Sequence, residues 1–121
     1  MRFTLAAEQD FLRAELFERE TAAQTREFLA AAAAEALRLG LSKALISVHA
    51  SRTIFRVEQY QFSAYVKALA ERPSAMVALV AGSDEIHAAH QYVELLAQQH
   101  GANVRCFRHE AEAVQWLRSR I

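Results

Sequence analysis

A single cysteine, a single proline and three glycines in 121 residues exclude several architectures at once. The lone Cys106 cannot close an internal disulfide or share a thiolate zinc cluster, which fits a reducing compartment. With Pro73 alone and only Gly40, Gly82 and Gly101, no stretch has the composition of a linker or a low-complexity segment. Net charge is also missing. Fourteen basic residues cancel fourteen acidic ones, so no global field draws nucleic acid or an anionic membrane. The apolar runs Ala30–Ala34 and Ala75–Ala81 fall well short of the roughly 18–20 residues of a membrane span. The N-terminal stretch carries Glu8, Asp10, Arg13 and Glu15 where a signal peptide would be apolar. These absences predict one cytoplasmic domain over residues 1–121, with no membrane insertion and no nucleic-acid partner.

What is present is a regular alternation of patterns. Phe3–Ala7 and Leu12–Glu18 flank the polar turn Glu8-Gln9-Asp10, and Leu12, Ala14 and Leu16 recur every second residue. That is a β-hairpin with one buried face. Thr21 followed by Gln24 has capping-box spacing and predicts a helix from there to Leu39, ended by Gly40. Its core stripe is expected at Phe28, Leu29, Ala32, Ala33, Ala36 and Leu37. The run Ala44-Leu45-Ile46-Ser47-Val48 reads as a central strand and turns polar at His49, Ser51, Arg52 and Thr53. A helix over about 56–71, stopped by Pro73, follows with Phe62, Tyr65, Val66 and Leu69 inward. Ala75–Ala81 is a second buried strand. Ser83 or Asp84 caps a helix with Ile86, Ala89, Val93, Leu96 and Ala97 inward, closed by Gly101. A short strand at 103–107 and a helix at 110–120 complete the chain. The order β-β-α-β-α-β-α-β-α predicts an α/β fold. Its sheet is mixed, with about five strands and an antiparallel N-terminal hairpin, and about four helices pack around it. Leu45, Val48, Val77, Leu79 and Leu96 are expected in the core.

Three stretches, KALISVHASRT, MVALVAGSDEIHAAHQYVELLAQQHGANVRCF and FRHEAEAVQWL, together resemble the SpoIIAA-like branch of the STAS domain superfamily across nearly the whole chain. The resemblance implies a single STAS-like domain and a non-enzymatic regulatory or protein-interaction role. It also implies a weakly held homodimer, for which the N-terminal hairpin offers a sheet edge. Phe11 and Phe17 lie on the strand face opposite Leu12 and Leu16, so at least one of them is expected to meet solvent in a monomer. The sequence departs from the family at two places. Ser47 and His49 stand where regulatory members carry an acidic strand residue. Phe55-Arg56-Val57-Glu58-Gln59 lacks the serine that follows an Asp in members switched by phosphorylation.

Candidate chemistry is sparse. Ser51, Arg52, Thr53 and Arg56 lie between a strand end and a helix start, where free N–H groups and a helix dipole favour an anion or an acidic partner. A solvated turn with capping hydroxyls explains the same residues. Tyr60 and Tyr65 could line a pocket for a small apolar or lipid-like ligand, the alternative function. Phe62 and Tyr65 fit a sheet-facing role equally well. His49, His87 and His90 would make a third reading, a metalloenzyme or hydrolase, if they converged. His87 and His90, however, lack the spacing of a zinc-protease helix, and imidazoles on an alanine-rich helix are ordinarily surface or edge residues. Cys106 sits mid-strand as a packing residue, Glu58 and Glu85 serve helix starts, and Glu18-Arg19-Glu20 reads as a solvated charge cluster. No cofactor is implied.

Overall fold

The computed structural model describes residues 1–49 and 65–119. The chain runs β1 (Arg2–Ala7), β2 (Leu12–Phe17), α1 (Ala22–Leu39) and β3 (Lys43–His49). Helical residues 65–70, here α2, come next, and β4 (Met76–Ala81), α3 (Asp84–His100), β5 (Val104–Phe107) and α4 (Glu110–Ser119) follow. The strands lie in sequence order, β1-β2-β3-β4-β5. β1 and β2 pair antiparallel and every later pair is parallel. This is the α/β fold with a mixed five-stranded sheet and four helices that the sequence predicts.

Each parallel step moves to the adjacent position in one direction. Crossovers of a single hand therefore place α1, α2 and α3 on the same face. The larger core is the proof: Phe28 and Ala32 of α1, Val66 of α2 and Ile86, Val93 and Ala97 of α3 pack on Leu12, Ala14, Leu16, Ile46, Val48, Leu79 and Ala81. Among the described residues, α4 covers the other face, with Ala113 and Leu117 packed on Phe11, Leu45, Met76, Ala78 and Val80. Lys43 Nζ donates to the Leu117 carbonyl at 2.7 Å, which fixes the end of α4 against the start of β3. α4 lies over β3, β4 and β5 and reaches β2 through the Arg13–Glu110 ion pair, while Arg2 and Phe17, the carboxyl-edge row of β1 and β2, have no hydrogen bond, ion pair or ring contact with it among the described residues.

Local chemistry sets the helix ends. Thr21 Oγ1 accepts from the Gln24 N–H at 3.2 Å. Gln24 Oε1 accepts from the Glu20 N–H at 2.7 Å, one residue earlier than a reciprocal capping box would place it. Ser83 caps α3 by accepting from the Ile86 N–H. Gly40 and Gly101 end α1 and α3 in the left-handed region, at φ 69° and 76°.

Several core expectations need correction. Within α1, Phe28, Leu29, Ala32 and Ala36 belong to or pack against the core as expected, but Ala33 and Leu37 face solvent, Leu37 with 60% exposure, and Thr25 joins the buried stripe. Leu45, Val48 and Leu79 are buried, but Val77 and Leu96 are only half-buried. Phe11 is 1% exposed because it precedes β2 and lies under α4, with the guanidinium groups of Arg13 and Arg118 near its ring. Phe17 is half-buried. Of the two rings, at least one of which is expected to meet solvent, Phe11 is therefore buried and Phe17 is the one partly exposed.

Candidate functional site

β2, β3 and β4 all end at the carboxyl edge of the sheet, at Phe17, His49 and Ala81. In open α/β sheets that edge is where ligands and partners are met. Two groups of side chains gather there, one on each face.

Where α4 leaves its face of the sheet open, strand register aligns Arg2, Phe17 and His49 across three neighbouring strands. The Phe17 and His49 rings stack with centroids 4.9 Å apart and planes 17° from parallel. The Arg2 guanidinium sits 4.7 Å from the Phe17 centroid, within cation–π range. In the next row are Thr4, Glu15 and Ser47. Glu15 Oε1 is 3.9 Å from His49 Nε2, and Ser47 is buried. Gly82 lies beside the Val48–His49 backbone. Its N–H donates to the Val48 carbonyl at 2.9 Å, and a Cβ at this position would sit 3.1 Å from that same oxygen.

The helical face carries a different chemistry. Glu18 takes a left-handed φ of 58° as its N–H donates to the His49 carbonyl, and the next residue, Arg19, is buried. Arg19 Nη1 donates to Thr25 Oγ1 of α1 at 3.3 Å. His90 of α3 is also buried, and its pKa falls to about 3, first through burial, then through the charge of Arg19 and through His87. It therefore stays neutral at physiological pH and is a poor general base. The Nδ1 atoms of His87 and His90 are buried without a hydrogen-bond partner among the described residues. Glu18-Arg19-Glu20 is thus no solvated cluster: Arg19 points inward. Nor is His90 a surface residue.

The predicted sites are placed unevenly. Ser51, Arg52, Thr53, Arg56, Glu58, Tyr60 and Phe62 lie outside the described residues. Tyr65 is half-buried at the start of the described part of α2. His49 stacks on Phe17 on one face of the sheet while His90 packs into the other, and no three His, Cys, Asp or Glu side chains among the described residues could hold a metal ion. Cys106 is half-buried. Burial pushes its thiol up to about 12, assisted by the Glu94 carboxylate, so it is a weak nucleophile. An open groove of about 420 Å³ runs between α3 and β5, lined by His87, Gln91, Glu94, Gln98, Arg105 and Cys106. No helix among the described residues is long and apolar enough to cross a membrane.

The Arg2–Phe17–His49 row escapes a reading of separate motifs, because its members are distant in sequence. Hairpin symmetry was the available signal: a turn at 8–11 that pairs Ala7 with Leu12 must pair Arg2 with Phe17. Compared with protein-family models, with curated proteins and with solved structures, the chain gives no match.

Proposed function

We propose that this protein is a non-enzymatic regulatory or interaction module of STAS-like architecture, and that its partner surface is the carboxyl edge of the sheet. The observation that carries this reading is the row Arg2–Phe17–His49, a cation, an aromatic ring and an imidazole stacked on the part of the sheet that α4 leaves open. Arginine and aromatic side chains dominate the energetics of protein interfaces. Here strand register sets the three side by side, and the two rings stack on one another. Ser51, Arg52, Thr53 and Arg56, the anion or partner candidates of the sequence, follow His49 in the chain and lie outside the described residues.

The test places a photo-crosslinking amino acid at Glu20 or Asp84, both exposed at this edge, and at Gln99 near the other end of α3. The module reading requires a discrete crosslinked protein from the first two positions in cells and none from Gln99. Arg2→Ala with His49→Ala should abolish that product while leaving the melting temperature nearly unchanged. Crosslinks from Gln99 alone would move the function elsewhere. A lipid or other small molecule released in native mass spectrometry, with no crosslinked protein, would favour the ligand-binding alternative.

A further inference from the structure

The outer edge of β5 runs along the open groove that α3 walls, and the strand register identifies the backbone groups that face it. The Val77 N–H donates to the Asn103 carbonyl at 3.0 Å. Backbone direction alternates along a strand, so Asn103, Arg105 and Phe107 address β4, while the amides and carbonyls of Val104 and Cys106 point outward. The Cys106 N–H accordingly donates to Glu94 Oε2 at 2.7 Å. A carboxylate from α3 thus stands where the carbonyl of a further strand would accept. The outward groups of Val104 and the Cys106 carbonyl have no such substitute among the described residues. Around them, Gln91 and Gln98 lie one helical turn before and after Glu94, and Leu95 is 53% exposed. Arg105 opens onto the same groove, exposed and with no carboxylate partner among the described residues.

We propose that an extended, acidic segment of a partner protein adds to β5 as a sixth, antiparallel strand, its backbone displacing the Glu94 carboxylate from the Cys106 N–H. In this register the residues opposite Val104 and Cys106 each exchange a pair of backbone hydrogen bonds with β5. Their side chains take the helical face, as those of Val104 and Cys106 do, and lie beside Leu95. The residue between them falls opposite Arg105 on the other face, where an Asp or Glu meets an unpaired guanidinium. The groove therefore selects an apolar–acidic–apolar triplet. Addition of a peptide along an edge strand takes affinity from the backbone pairing and specificity from alternate side chains. Glu94 sets the threshold, because an incoming strand must outcompete a carboxylate already in place, and this keeps the edge from pairing indiscriminately. The inference does not depend on the carboxyl-edge surface proposed above.

A display library of random short peptides, selected against the protein and against Glu94→Ala, supplies the probes. Enriched peptides should carry the triplet and should shift the Val104 and Cys106 amide signals in NMR spectra. Glu94→Ala should bind them about tenfold or more tightly than the native chain, since no carboxylate competes for the Cys106 N–H. Glu94→Gln, which keeps an acceptor at that position, should fall between the two and guards against a folding defect in the alanine variant. Arg105→Glu should weaken binding by about tenfold or more, and a Lys in place of the acidic residue of the peptide should restore it. Circular dichroism separates folding from binding. No enrichment on either protein overturns the proposal, as do binders indifferent to Arg105→Glu or binders that leave the β5 amides unshifted.

Discussion

Acid should unfold this protein earlier than its carboxylates alone would dictate, and His90 is the reason. In the folded chain this imidazole takes a proton only near pH 3, against an ordinary value of 6.5. Below about pH 6.5 the unfolded chain binds a proton at this position that the folded chain refuses. The stability so linked is fully present above that pH and drains away as pH falls toward 3. At about 1.4 kcal/mol per pH unit, His90 alone removes roughly 2 kcal/mol by pH 5 and roughly 4–5 kcal/mol by pH 3, a large share of a small domain's stability. Urea denaturation at pH 7.5, 6 and 5 on the native chain and on His90→Leu measures it. The native chain should lose about 2 kcal/mol more than the variant between pH 7.5 and 5. Parallel curves, within about 0.3 kcal/mol, would refute the burial of a neutral imidazole beside Arg19.

Further expectations concern packing, backbone and reactivity. Phe28→Ala should cost about 3–5 kcal/mol in denaturant unfolding, because Phe28 is 1% exposed between α1 and the β1–β2 part of the sheet; a loss below about 0.5 kcal/mol would place it at the surface. Gly82→Ala should destabilise by about 1–3 kcal/mol, since its Cβ crowds the Val48 carbonyl, and should disturb the His49 ring resonances in NMR spectra. Glu18→Gly should stabilise the fold by up to about 1 kcal/mol by relieving a left-handed non-glycine residue; a decrease would mean that the Glu18 side chain makes a contact worth more than the strain. Cys106 should react with iodoacetamide at pH 8 far more slowly than the same thiol in urea, because its folded pKa lies near 12.

The elements legible in the sequence are those written in local chemistry. Apolar runs at Ala44–Val48 and Ala75–Ala81, hydroxyl caps at Thr21 and Ser83, and glycines at 40 and 101 each act within a few residues, so their signals survive without a structure. The carboxyl-edge chemistry is not local. Arg19 is buried because Glu18 adopts a left-handed turn and Thr25 accepts a hydrogen bond one helical turn into α1, and nothing in Glu-Arg-Glu announces either. His90 stands in line with Ile86, Val93 and Ala97, so the helical period did carry its burial, but residue type argued against it. The α1 stripe is narrower than expected, without Ala33 and Leu37, for a related reason. In a run of five alanines, composition hardly distinguishes the face that meets the sheet from the face that meets water.

The strand order has a consequence for how the chain assembles. Every strand pairs with the one before it, so the sheet can lengthen by one strand as each crossover closes, with no early strand waiting for a late one. α4 alone reaches back across the sequence: Lys43 bonds to Leu117, and Arg118 reaches Asp10 at 3.4 Å. Assembly is therefore progressive on the helical face and all-or-none on the other, where Phe11 and Leu45 stay bare until the last helix docks. Pulse-labelling hydrogen exchange should find the amides of α4 protected last, after the β2–β3 and β3–β4 ladders are already slow to exchange.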